Sequence, residues 1–126
     1  MAGIVVRDAH FPGRAPVDSY GNGGFRFAGM SHRGSILSVP SGIYGWNPGD
    51  VIDREALARV FEEADEVEVL LVGTGREMVP LTPDLAAALR EAGIVADAMS
   101  TGAAVRTFNV LLAEDRAVAA ALVAVD

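Results

Sequence analysis

The stretch from Met99 to Leu112 narrows the choice of folds more than any other part of the chain. It reads as a helix opened by a hydroxyl cap, Ser100 or Thr101, and apolar almost all round. Its polar exceptions are one arginine, Arg106, and one asparagine, Asn109. A helix of that composition is normally buried, so other elements must cover it. Ala104, Phe108, Leu111 and Leu112 recur along one face. Glu114, Asp115 and Arg116 mark its end.

The segments around this helix supply a sheet. Val67 to Val72 reads as a strand whose last three residues are continuously apolar, as in a sheet covered on both faces. It runs into Gly73-Thr74-Gly75. Thr82 then caps a helix with Pro83 at its first position, a buried stripe of Leu85, Ala86, Leu89 and Ala92, and Gly93 as its stop. Ile94 to Ala98 is a short strand, and Ala117 to Val125 is a final β-prone run weakened by five alanines. Strand–helix–strand crossovers are right-handed, so the strands after Asp65 and after Gly93 should lie parallel in one sheet. Before them, Asp53 caps a helix on which Ala56, Leu57, Val60, Phe61 and Ala64 repeat. Glu55 with Arg59, and Arg59 with Glu63, sit four apart on its outer face.

The first third reads as a β meander. Ile4, Val5 and Val6 form either a short strand or an extended arm. His10 to Pro16 is loop material stopped by two prolines. Val17 to Tyr20 and Phe25 to Ala28 flank a glycine–asparagine cluster and read as a hairpin, with Phe25 and Phe27 on one face. Ser35 to Val39 and Gly42 to Trp46 read as partners across Pro40-Ser41-Gly42. The last two-thirds read α-β-α-β-α-β, and residues 1–126 as one domain.

Composition removes several function classes. There is no cysteine, which excludes disulfides, thiol chemistry and cysteine-based zinc sites. A net charge of −7 argues against nucleic acid and against an anionic membrane surface. No apolar run approaches the ~20 residues of a membrane span. Met1 to Pro12 lacks the pattern of a secretory signal, so the expectation is a cytoplasmic protein.

Individual motifs carry little catalytic signal. Gly73-Thr74-Gly75 follows a buried strand, but it lacks the third glycine of a dinucleotide fingerprint and the ending of a P-loop. Its glycines are better explained by a tight turn and close backbone approach. Arg106 and Asn109 share a helix side. They either grip an anionic group or, the weightier account, hydrogen-bond loop backbone and fix the packing. His10 and His32 read as isolated loop or surface histidines. Glu62, Glu63, Asp65, Glu66 and Glu68 read as a solvated helix end. Ser35, Ser38 and Ser41 lack a nucleophile elbow. Trp46 reads as a packing residue over the first helix, with a partner anchor as the rival. No catalytic residue, metal ligand or cofactor is expected.

Several of these residues carry a family pattern. Gly73-Thr74-Gly75 precedes a capped helix, and the run Met99, Thr101, Ala103, Ala104, Arg106, Thr107, Asn109, Leu111 is followed by Glu114 and Arg116. Together with Tyr20, Gly24, Phe25, Gly34, Ser35, Pro40 and Trp46, this resembles the Mth938-like family across nearly the whole chain. That family includes uncharacterised bacterial and archaeal proteins, a mitochondrial assembly factor for respiratory complex I and an adipogenesis-associated protein. The resemblance implies a three-layer α/β fold, with a central mixed sheet, helices and a β-rich amino-terminal layer. It also implies a last strand antiparallel to the others. It brings no catalytic residues.

Two functional classes follow. One is a non-enzymatic accessory, assembly or protein-interaction domain, its partner another protein or a second copy of itself, which an exposed apolar patch at Trp46 or the meander would favour. The other is a binder of a small anion, or an enzyme, with its site at the carboxyl ends of the parallel strands. Its candidate residues are Gly73, Thr74, Gly75, Ser100, Thr101, Gly102, Arg106 and Asn109. A pocket lined by Gly73, Thr74, Thr101 and Arg106 would favour that class.

Overall fold

The computed structural model describes residues 11–126, so the reading of Ile4–Val6, of His10 and of the amino-terminal leader lies outside the described residues. The chain folds as a mixed α/β structure around a six-stranded sheet. Its strands are β1 (Phe11–Pro12), β5 (Ser35–Val39), β6 (Gly42–Trp46), β7 (Val69–Gly73), β8 (Val95–Met99) and β9 (Val118–Leu122), in the order β1-β6-β5-β9-β7-β8. A separate three-stranded sheet holds β2 (Val17–Gly21), β3 (Gly24–Phe27) and β4 (Met30–Arg33). Three α-helices are described: α1 (Ala58–Glu62), α2 (Pro83–Glu91) and α3 (Thr101–Ala113).

Side chains alternate between the two faces of the large sheet and build two cores. Ile36, Leu71, Val118, Ala120 and Leu122 point to one face, where they meet Ala104, Val105 and Phe108 of α3 and Val17, Phe25 and Phe27 of the small sheet. Leu37, Val39, Leu70, Val72, Ala119 and Ala121 point to the other, where they meet Leu57, Val60, Leu85 and Leu89 of the α1 and α2 segments. Three layers result, with the large sheet in the middle.

The meander expectation is corrected at Gly34. There the backbone takes φ +98°, a conformation suited to glycine, and the chain leaves the small sheet for the large one. Phe11–Pro12, expected as loop, forms a two-residue edge strand against Gly42 and Ile43. The first helix is shorter than its apolar pattern, because residues 54–57 form turns and Asp53 caps them through a bond from the Ala56 N–H (2.8 Å). Its expected Glu–Arg pairs are not formed. Arg59 lies over the Tyr44 ring, 3.9 Å from its centroid, and Glu63 accepts from the Ser41 N–H and hydroxyl (2.9 and 2.6 Å). Tertiary partners thus outcompete weak helix-surface pairs.

The last strand also departs from expectation. β9 lies at the centre of the sheet, parallel to β7 and antiparallel only to β5. A helix that crosses back over the sheet after β8 returns the chain to the same starting edge, so the strand it feeds runs with β7 and β8. All five β9 residues are buried, and burial on both faces overrides alanine's low strand propensity. The long helix is covered less completely than its composition suggests. Thr101, Ala104, Val105 and Phe108 are buried, while Val110 and Arg106 are exposed, because the small sheet covers one flank alone.

Phe108 is fully buried between the sheets. Phe108→Ala should lower the unfolding free energy by ~3–5 kcal/mol in urea titrations. A midpoint equal to that of the parent would show that this core does not hold the fold.

Candidate functional site

Register brings the sequence-predicted turns together. Gly73 pairs with Met99 on one side and with Leu122 on the other, so three strands end at one edge. Ser100 caps α3 there, its hydroxyl accepting from the Ala103 N–H (3.3 Å). Thr101 is buried and binds both neighbouring strand ends. Its hydroxyl donates to the Val123 carbonyl (2.7 Å) and accepts from the Gly75 N–H (3.0 Å), while its own N–H donates to the Gly75 carbonyl (2.8 Å). The Thr74 N–H donates to the Met99 carbonyl (2.9 Å), and its hydroxyl donates to the Glu77 carbonyl (2.7 Å) and accepts from the Val79 N–H (2.9 Å). Gly73 is required by contact: a Cβ there would lie 2.9 Å from the Thr101 Cα and 3.1 Å from the Ala104 Cβ.

Arg106 and Asn109 part company. The Asn109 side chain accepts from the Val17 N–H (2.9 Å) and donates to the Val17 carbonyl (2.8 Å), joining α3 to the small sheet as a strand neighbour would. Arg106 is exposed and has no hydrogen-bond or ion-pair partner among the described residues. At the helix start, the Tyr20 hydroxyl sits against the backbone of Gly102, where a Cβ would collide with it.

Two of the concavities among the described residues bear on the functional readings. A cleft of about 680 Å³ is lined by His32, Arg33, Tyr44, Trp46, Glu55 and Arg59, among others, and so carries both signs of charge. His32 is buried on β4 rather than in a loop, at 8% exposure. Its Nε2 faces the Ser35 carbonyl (3.2 Å), which only accepts, so that nitrogen is the donor, and Nδ1 has no partner among the described residues. Trp46 is buried too, its indole N–H donating to the Ala56 carbonyl (2.8 Å), so it packs the α1 segment. The second concavity is a groove of about 310 Å³ between residues 49–52 and 79–82, with Thr74 and Val123 in its lining. Beside it lie three exposed apolar side chains, Val51 (60%), Met78 (56%) and Val79 (57%). No periodic pattern marks them in the sequence. Their signal was an apolar Met78-Val79-Pro80-Leu81 run with neither helical nor strand period. No cluster of three or more metal-ligating side chains occurs among the described residues.

These features define a three-layer α/β domain whose strand-end turns bond to one another beside an apolar groove. A family model described as "Protein of unknown function (DUF498/DUF598)" matches residues 17–123, and the chain belongs to that family. A solved Mth938-like domain of Bordetella pertussis superposes with a TM-score of 0.74 at 29% identity, covering 86% of this chain and 85% of that one, and the fold is Mth938-like. A structure titled as an outer membrane protein from Bartonella henselae is 65% identical, with a TM-score of 0.90 over 93% of this chain and 100% of that one. The mouse protein named NADH dehydrogenase [ubiquinone] 1 alpha subcomplex assembly factor 3 is 31% identical over 95% of this chain. The chain spans 66% of that protein's length. No described helix is long and apolar enough to cross a membrane.

Thr101→Val keeps the shape of the side chain but strands the Val123 carbonyl and the Gly75 N–H. The expected loss is ~1–3 kcal/mol per stranded group, read by chemical denaturation. Thr101→Ser, which retains the hydroxyl, should lose clearly less. Equal losses would assign the effect to the methyl group's packing.

Proposed function

We propose that this chain is a non-enzymatic assembly module that docks on subunits of an NADH:quinone oxidoreductase, the bacterial counterpart of respiratory complex I, while that enzyme is being built. The observation that carries this reading is the 31% identity to a named assembly factor over 95% of the chain. The apolar side chains Val51, Met78 and Val79 support it, since apolar surface gathered at one place is the usual mark of a protein contact. A cytoplasmic place of action belongs to the same reading. Both faces of the six-stranded sheet are covered, one by α3 and the small sheet, the other by the α1 and α2 segments.

A second reading places a small carboxylate or phosphate at Gly73-Thr74-Gly75 and Ser100-Thr101-Gly102, with Arg106 and Asn109. Arg106 favours it, as an exposed guanidinium without a partner among the described residues near a helix start. We rank it second because Thr101, Gly75 and Thr74 bond one another and Asn109 is held by Val17. Saturable phosphate-induced shifts of the Gly102 amide, lost in Arg106→Ala, would reverse that order.

Deleting the gene in a host that respires through this oxidoreductase tests the first reading. The expected result on native gels is less full-size enzyme and an accumulated subassembly, both restored by the wild-type chain. Full-size enzyme at wild-type level would overturn it.

A further inference from the structure

The proposed assembly role leaves open what the chain grips, and the groove beside Thr74 narrows the answer. Of the exposed large apolar residues among those described, Val51 and Val79 line it, and Met78 adjoins Val79 in the chain. The half-buried Ile52, Leu81 and Val123 extend the apolar lining inward, and the exposed Pro80 adds to it at the surface. The groove's hydroxyls are already engaged. Thr74 bonds Glu77 and Val79, and Thr82 accepts from the Leu85 N–H (3.3 Å) as the α2 cap. A small polar ligand would therefore find few directional partners, whereas an apolar side chain would find contact area.

Charge selects the occupant. The two segments that line and flank the groove, residues 49–53 and 74–84, hold four carboxylates, Asp50, Asp53, Glu77 and Asp84, against one arginine, Arg76. Asp50 lies in the lining itself. A second copy would bring another acidic rim to this one on a chain of net charge −7, and an anionic bilayer would be repelled in the same way. Resting on the assembly reading, we propose that the groove between residues 49–52 and 79–82 docks a partner-protein segment that presents large apolar side chains flanked by lysine or arginine. The apolar side chains enter between Val51 and Val79, and the flanking cations meet Asp50 and Glu77. Attraction of this kind steers encounter and weakens with salt.

Two synthetic amphipathic peptides test this, identical in their leucine and phenylalanine positions but flanked by lysine in one and by glutamate in the other. Backbone amide shifts of the full chain are the readout. The lysine peptide should saturate shifts at Val51, Met78 and Val79 and bind at least tenfold more tightly than the glutamate peptide. Val79→Asp should weaken it at least tenfold. Asp50→Asn with Glu77→Gln should erase most of the preference between peptides while the unfolding midpoint stays at the parent value. Equal affinity for the two peptides would overturn the proposal, as would shifts centred on the Trp46 cleft or none at millimolar peptide. So would a dimer in sedimentation that Val79→Asp dissolves, or binding to phosphatidylglycerol vesicles. In the deletion host, Val79→Asp that restores full assembly would discard this surface and leave the assembly role standing. Peptide binding without any assembly defect on deletion would do the reverse.

Discussion

One hydroxyl ties the parallel half of the structure together. Thr101 stands where α3 begins and holds the end of β9 through Val123 and the end of β7 through Gly75. It is fully buried, so an unpaired polar atom there would be costly, and each hydrogen bond is obligatory. Gly73 is the complement of this arrangement. Without a side chain it lets the first turn of α3 settle onto the strand end, close enough for the threonine to reach both neighbours. Asn109, two turns further along α3, repeats the device by binding both backbone polar groups of Val17, so the same helix joins the small sheet to the large one.

This arrangement explains where chemistry is and is not concentrated. In open α/β sheets the carboxyl ends of the parallel strands are the customary ligand position. Here the amides and hydroxyls of that edge bond mainly to one another, and the exposed apolar groups lie on the neighbouring loops around Val51 and Val79. A hydrogen-bonded edge and an apolar groove therefore lie side by side, and the proposed assembly role rests on the groove.

Much of the fold was legible in the residues, because each legible part had a local cause. The caps at Thr82 and Ser100, the Asn22-Gly23 turn, and the alternation of Phe25 with Phe27 each act within a few residues. The parallel pairing of β7 with β8 followed from crossover handedness. What stayed hidden depended on distant partners. β4 is a polar run, Met-Ser-His-Arg, entered through a turn on Ala28 and Gly29 (φ +50° and +75°), whose first position is an alanine rather than the asparagine or aspartate such turns favour. The central place of β9 rests on burial that its three alanines do not announce. At the candidate edge, the meeting of the two turns was readable from strand order, but the Val123 partner of Thr101 was not, since β9 had no assigned neighbours. The apolar groove escaped notice because exposure is a tertiary property.

Native-state hydrogen exchange of the Gly75, Thr101 and Val123 amides tests most directly the claim that Thr101 locks these elements into one unit. All three donate within the knot, to the Thr101 hydroxyl, the Gly75 carbonyl and the Gly73 carbonyl. If the knot is part of the cooperative core, they exchange only through global unfolding, with the same protection free energy and denaturant dependence as Leu71 at the centre of β7. Exchange at a much lower free energy, with Leu71 still protected, would show that the strand ends open on their own and that the lock lies elsewhere.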